Sequence, residues 1–240
     1  NFVAASSKLG LNISKIYKMV QKNLFAVTAN INEAQSKHIL ADHILKMWHW
    51  VGGRFSIWSS VNFANVLVYG SVLFQRFLNG AHQMDQHFLK TPFEKNIPVM
   101  LGLLSIWYNN FFDAHTQAII PYSAYLSALP AYLQQLNMES LGKSVDVHGD
   151  KINIKTGTII WGDVGPNSQH SFHQLLMQGT QFIPVEFILS FGNKILDEFD
   201  LKRAAYCLSQ SQTLMLGYEG ESSAQNISGN QPSTTIFISQ

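Results

Sequence analysis

The feature that most constrains the fold is a strand, a turn and a helix that follow one another between Thr158 and Thr180. An apolar run ending at Trp161 leads directly into a turn rich in Gly, Pro and Asn, and an apolar-periodic helix opens after it. This order predicts an α/β protein, in which ligands bind where the carboxyl end of a strand meets the start of a helix. Gln169 and His170 lie at this place, where backbone N–H groups stabilise an anion.

His170 is the one side chain of this turn that can exchange a proton near neutral pH. The same position also suits a histidine that only caps the helix and takes no part in chemistry. The turn by itself favours neither interpretation.

A second candidate is the turn Gly52-Gly53-Arg54, which precedes a helical pattern. Paired glycines let the backbone turn tightly and approach a ligand. The planar guanidinium of Arg54 suits a phosphate, a carboxylate or a developing enolate oxygen. The alternative is an arginine that pairs with a structural carboxylate.

A third candidate lies near the end of the helix predicted over residues 122–138. Gln135 and Glu139 are four residues apart and therefore share one helical face. The negative end of a helix dipole disfavours a carboxylate, which makes Glu139 more ready to accept a proton, as a general base must. The alternative is a solvated surface glutamate.

Composition excludes several classes of function. The 240 residues are 46% hydrophobic and 13% charged, with net charge +1, which suits one large domain or two modest ones. There is no basic block for phosphates, and the most apolar run, Ile97 to Tyr108, is too short to span a bilayer. The single cysteine, Cys207, indicates a reducing compartment. We expect a cytoplasmic protein that binds neither nucleic acid nor membrane.

Signature motifs of other enzyme classes are missing from the sequence. There is no P-loop, no GxGxxG, no CxxC and no Gly-x-Ser-x-Gly. His82, Asp85 and His87 lack the i, i+4 spacing of a helical metal site. Nucleotide-binding, zinc and serine-hydrolase functions therefore have no direct support.

Several segments together resemble the glucose-6-phosphate isomerase family, and the likeness runs from about Leu24 to the end of the chain. The segments are Trp50 to Ser59 around Gly-Gly-Arg, Asn96 to Val99, Ile106 to Phe112, Gln134 to Lys143, Asn167 to Thr180, and Asn230 to Thr234. The resemblance implies aldose–ketose isomerisation of glucose 6-phosphate to fructose 6-phosphate through an enediolate, in glycolysis and gluconeogenesis. It implies no metal and no organic cofactor.

The resemblance also implies roles for the three candidates. Glu139 would move a proton between C1 and C2 of the open-chain sugar, and Arg54 would stabilise the enediolate. His170 would help to open the sugar ring, and in this family it is contributed to the site of the neighbouring subunit, which implies a homodimer. A base, a cation and a proton carrier are the parts that such a reaction needs.

Four substrate-binding residues follow from the same comparison. Gly53 and Gln135 would line the pocket, while Ser7 and Lys8 would be a remnant of the family's Thr-rich phosphate loop or an unrelated strand end. The chain departs from the family pattern elsewhere. Leu141 replaces an asparagine beside the glutamate, and Ser168 and His173 replace a glycine and a tyrosine near the histidine. His49 replaces an acidic residue before the Gly-Gly-Arg turn.

The expected fold is α/β, a three-layer αβα sandwich of the sugar isomerase type with mostly parallel sheets. Residues 1–65 would form the end of a first domain, 66–95 a helical connection, and 96–240 an incomplete second domain. Because the chain starts and stops in apolar strand-like runs, we expect a piece of a longer polypeptide. If the chain is truly this short, we expect weak or no activity, as in a silent sugar-phosphate binding or interaction module.

Overall fold

A computed structural model describes residues 12–192 and 197–239 of the chain. The chain divides into two compact units, Asn1–Lys90 and Thr91–Gln240. The strand predicted over residues 1–7, with Ser7, and the neighbouring Lys8 lie outside the described residues. The predicted domain boundaries at residues 65 and 95 stay predictions.

The first unit combines short helices with a small parallel sheet. Its elements are α1 (Ile13–Asn23), β1 (Ala26–Thr28), α2 (Ile31–Ser36), β2 (Ile44–Lys46), α3 (Phe63–Tyr69), α4 (Ser71–Lys90) and 3-10 turns at Ala41–His43, Gly53–Trp58 and Ser60–Asn62. Strands β1 and β2 pair in parallel.

Residues 32–48 carry a pattern that is typical of one helix, but the helix ends at Ser36. The helix ends because His38 adopts a left-handed conformation with φ of 64°. Residues Ile44–Lys46 then pair with β1 instead of continuing the helix. Tertiary pairing therefore overrides helical periodicity in this segment.

The second unit is built around a parallel sheet. Its elements are a 3-10 turn at Phe93–Lys95, α5 (Ile97–Phe111), β3 (Thr116–Pro121), a 3-10 turn at Ala124–Leu126, α6 (Leu129–Leu133), a π-helix (Gln134–Glu139), β4 (Ile159–Trp161), α7 (Gly165–Ser168), α8 (His173–Gln178), β5 (Val185–Phe191), α9 (Glu198–Leu216), a 3-10 turn at Ser223–Gln225, and β6 (Ser233–Ser239). The strand order is β4-β3-β5-β6, and each neighbouring pair is parallel.

Side chains alternate between the two faces of this sheet, and helices cover both faces. Tyr122 and Phe187 pack on one face with residues of α8 and α9, such as Leu176 and Leu214. Ile119, Ile160 and Ile188 pack on the other face, against Leu126, Leu129 and Leu133 from the turn and helix that follow β3. Each fully buried side chain of this size contributes about 1.5–3 kcal/mol. The α/β fold with parallel sheets, predicted from the sequence, is confirmed.

The turn after β4 depends on two glycines. Gly162 has φ of 150°, and a Cβ atom there would lie 1.9 Å from the carbonyl oxygen of Ile119. A Cβ atom at Gly165 would lie 2.4 Å from the ring of Tyr122. The chain can leave β4 and enter α7 this close to β3 only because neither residue has a side chain.

No helix in the described ranges, 12–192 and 197–239, is long and apolar enough to cross a membrane.

Candidate active site

Gln135 and Glu139 lie together, as their spacing predicted. Gln135 Nε2 donates a hydrogen bond of 3.2 Å to Glu139 Oε2. The backbone between them is a π-helix rather than the α-helix that the pattern predicted. Such wide turns occur often at functional sites. The side chain of Gln134 donates to the carbonyl oxygen of Ile160 at 3.0 Å, which ties the π-helix to β4.

Glu139 lies at the amino edge of the parallel sheet. The helix that carries it runs back from the carboxyl end of β3 and ends two residues later, at Leu141. Lys143 Nζ donates to the Glu139 carbonyl oxygen at 2.6 Å, and Thr156 Oγ1 donates to the Lys143 carbonyl oxygen at 3.0 Å. Because Thr156 shortly precedes β4, the helix end is attached to the start of that strand. The Lys143 ammonium also offsets the negative end of the helix dipole.

His170 lies at the opposite, carboxyl edge of the same sheet. It follows β4 and α7, its side chain is exposed, and its backbone N–H donates to the Asn167 carbonyl oxygen at 3.1 Å. The neighbouring Gln169 donates from Nε2 to the hydroxyl oxygen of Tyr122 at 3.3 Å. Tyr122 directly follows β3, and its burial raises its pKa to about 12, so the hydroxyl stays protonated. Within one chain, Glu139 and His170 are therefore not brought together.

Arg54 and Gly53 lie in the 3-10 turn Gly53–Trp58 of the first unit. The Arg54 guanidinium carbon lies 4.9 Å from the centre of the Phe55 ring, a cation–π geometry. A Cβ atom at Gly53 would meet no atom of the described residues within 4 Å. Local packing in this unit therefore does not itself require glycine at this position.

A buried polar chain beside His170 was not predicted as such from the sequence. Ser168 Oγ lies 3.0 Å from His173 Nε2, and His173 Nδ1 lies 3.3 Å from Gln210 Oε1. Burial lowers the pKa of His173 and favours its neutral ring. The signal was present, because Ser168 and His173 are two of the positions at which the chain departs from the family pattern.

A second unpredicted group is Glu186 on β5. Its carboxylate accepts a hydrogen bond of 2.6 Å from Gln117 Nε2, and burial raises its pKa. It borders a cavity of about 590 Å³ that is also lined by Ser140 and Lys143. Neither Glu139 nor His170 lines this cavity.

The described residues include no cluster of three or more His, Cys, Asp or Glu side chains that could hold a metal ion. The candidate residues themselves supply a carboxylate, an imidazole, a guanidinium and amide side chains. These groups can transfer protons and stabilise negatively charged oxygen atoms.

Comparison with known proteins gives a consistent picture. The family model described as phosphoglucose isomerase matches residues 3–240. A glucose-6-phosphate isomerase of Coxiella burnetii (strain Dugway 5J108-111) is 46% identical over 249 residues, which cover 96% of this chain and 46% of that protein. One from Marinomonas sp. (strain MWYL1) is 44% identical over 238 residues, which cover 91% and 43%.

Solved structures agree with these sequences. The crystal structure of a glucose-6-phosphate isomerase from Chlamydia trachomatis superposes with a TM-score of 0.77 at 31% identity, covering 96% of this chain and 48% of that one. A hypothetical protein from Thermus thermophilus shares the fold, with a TM-score of 0.70 at 22% identity over 90% of this chain and 52% of that one. The chain spans about half the length of the curated relatives that it matches. Because the family model covers nearly the whole sequence, this chain belongs to the phosphoglucose isomerase family.

Proposed function

We propose that the protein interconverts glucose 6-phosphate and fructose 6-phosphate through an enediolate, with Glu139 as the base. Family membership supports the reaction, and the hydrogen bond between Gln135 and Glu139 is the observation that carries the assignment of the base. An amide donor 3.2 Å from Glu139 Oε2 fixes the direction in which the carboxylate points. Gln135 thereby orients the base.

The other candidates complete the reaction. Arg54 carries a permanent positive charge that stabilises the enediolate oxygen, and His170 transfers the proton that opens the sugar ring. Gly53 contributes backbone to the sugar pocket, and Ser7 and Lys8 contribute to phosphate binding. These roles require no metal and no organic cofactor. The substrate is a small phosphorylated sugar, and we expect the protein to act in the cytoplasm.

We further propose that the working protein is a homodimer with shared active sites. Glu139 lies at the amino edge of the sheet and His170 at the carboxyl edge, so one chain does not bring the two side chains together through this sheet. Two chains related by a two-fold axis can place His170 of each beside Glu139 of the other.

Loss of the C2 proton tests the reaction directly. In the natural full-length chain, we expect the proton at C2 of glucose 6-phosphate to exchange with deuterated solvent, as followed by NMR. Glu139→Gln should lower exchange and turnover by about 10²–10⁴-fold, the usual loss when a general base is removed. The control is Glu198→Gln, which removes an exposed carboxylate paired with Lys202 and should leave both rates unchanged.

Two results would contradict the proposal. Exchange that continues in Glu139→Gln excludes this residue as the base. Tight binding of the sugar phosphate without any exchange identifies a silent binding module instead.

Subunit mixing tests the shared site. Glu139→Gln and His170→Ala proteins should each have little activity alone. After joint unfolding and reassembly, about a quarter of wild-type activity should return, because half of the dimers are mixed and each mixed dimer holds one intact site. Activity that does not return would exclude a site shared between chains.

A further inference from the structure

Ser168 and His173 form a buried polar pair outside the proposed catalytic residues. Ser168 is fully buried and His173 is 5% exposed, and their polar atoms lie 3.0 Å apart. His173 also reaches Gln210 on α9 at 3.3 Å. A serine, a histidine and an amide in a row are the parts of a nucleophilic triad. Because Ser168 is completely buried, however, no substrate can reach its hydroxyl, so this group does not act as a nucleophile.

The position of the pair in the chain suggests a different task. Ser168 ends α7 and His173 begins α8, so the hydrogen bond between them closes a loop over the turn that carries His170. We name this hydrogen bond the clasp. The backbone N–H groups of Ser171 and Phe172 also donate to the Ser168 carbonyl oxygen, at 3.1 and 3.0 Å.

Residues on both sides of the exposed His170 side chain are anchored to the sheet. Gln169 donates to the Tyr122 hydroxyl at the end of β3. The Phe172 ring meets the Trp161 ring at the end of β4 edge to face, with 4.7 Å between the ring centres. His170 is thus the exposed residue of a turn whose flanking residues contact side chains at the ends of β3 and β4. The clasp joins the two sides of that turn.

The clasp is part of a longer chain of polar contacts. The Ser168 hydroxyl donates to the Gly165 carbonyl oxygen at 2.8 Å, and its oxygen lies 3.0 Å from His173 Nε2. On the other side of the ring, His173 Nδ1 lies 3.3 Å from Gln210 Oε1. Through these contacts, Ser168, His173 and Gln210 link the His170 turn to α9.

We propose that the clasp between Ser168 and His173 positions His170 for proton transfer, which makes both residues positioning residues that do not themselves touch the substrate. This inference rests on the proposed function of His170. Proton transfer depends on atoms held at hydrogen-bonding distance, and a displacement of about 1 Å can cost 10²-fold in rate. Loss of the clasp should therefore lower kcat and leave the KM for the sugar phosphate nearly unchanged.

The test uses the natural full-length chain with Ser168→Ala, His173→Phe and the double variant, each made with and without His170→Ala. In the presence of His170, we expect each single variant to lower kcat about tenfold, and the double variant to be no worse than the worse single variant, because both remove the same hydrogen bond. In the His170→Ala background, the same changes should lower kcat no further. His173→Gln, whose amide can replace Nε2, should recover part of the loss.

The control is Ser211→Ala, which removes a partly buried side-chain hydrogen bond of 2.9 Å between Ser211 on α9 and Ser233. It should lower the thermal unfolding midpoint without changing kcat. An equal loss of kcat in the His170→Ala background would show a purely structural effect and overturn the inference. Wild-type kcat in both Ser168→Ala and His173→Phe would also overturn it. Wild-type kcat in His170→Ala itself would instead overturn the proposed role of His170, and the role of the clasp with it.

Discussion

Replacement of Gly162 by alanine tests whether the chain leaves β4 by a close approach to β3. Gly162 has φ of 150°, a region that residues with a side chain rarely adopt and that costs about 1–3 kcal/mol. The new Cβ atom would also lie 1.9 Å from the Ile119 carbonyl oxygen, whereas such carbon–oxygen contacts need about 3.3 Å. The backbone would therefore have to move by about 1.4 Å.

Such a movement would disrupt strand pairing, because Ile119 lies in the central part of β3, which pairs with both β4 and β5. Backbone strain and lost strand pairing together should lower the free energy of unfolding by about 4 kcal/mol or more. The matched control is Gly149→Ala. Gly149 also has positive φ, at 88°, but a Cβ atom there meets no described atom within 4 Å. Strain alone should cost this variant about 1–2 kcal/mol.

Urea unfolding of the two variants and the wild type, followed by tryptophan fluorescence and circular dichroism, measures the difference. Subtracting the Gly149→Ala value from the Gly162→Ala value isolates the cost of the overlap with Ile119. If Gly162→Ala loses no more stability than Gly149→Ala, the chain does not pass close to β3 when it leaves β4. The described position of the His170 turn, which depends on this close approach, would then be wrong.

Further measurements address other parts of the molecule. Gly80→Ala, in the exposed middle of α4, should stabilise the protein by up to about 1 kcal/mol in thermal unfolding, since alanine restricts the unfolded chain and favours the helix. Asp197→Ala removes the cap that accepts from Asp200 N at 2.8 Å and should destabilise α9 by about 1 kcal/mol. Cys207 is fully buried and burial raises its pKa to about 12, so a thiol reagent should label it only when the protein unfolds; rapid labelling of the native protein would contradict its burial. Burial raises the pKa of Glu186, so this side chain does not destabilise the wild type below its ordinary pKa of 4.5, and stability is lost as pH rises through the raised pKa. The Glu186→Gln variant should therefore match the stability of the wild type near pH 4 and exceed it increasingly towards pH 8. A gain in stability that is independent of pH would exclude the burial of this carboxylate as its cause.

Local patterns predicted the parts of the fold in which sequence and tertiary environment agree. The apolar run that ends at Trp161 forms β4, and α7 and α8 follow the turn after it, as the sequence predicted. The spacing of Gln135 and Glu139 likewise predicted that they share one face, and their side chains form a hydrogen bond there. The segment 37–46 could not be predicted in this way, because its strand exists only through pairing with β1.

The hydrogen bond between Ser168 and His173 could likewise not be predicted from the sequence. The sequence marked Ser168 and His173 as unusual, yet nothing in their spacing predicted a hydrogen bond, since residues five apart do not share one face of an α-helix. The bond forms because the chain leaves helical geometry between α7 and α8 and places both side chains under the turn.

The sequence by itself determined the α/β class, the family and the identities of the candidate base, cation and proton carrier, because periodicity, turn residues and motif spacing are local properties of a chain. Only the tertiary structure decided that Glu139 and His170 lie at opposite edges of one sheet, and that Ser168 and His173 meet beneath the His170 turn. The physical reason is that strand pairing and burial bring together residues that are distant along the chain, and local preference carries no information about which of them will meet.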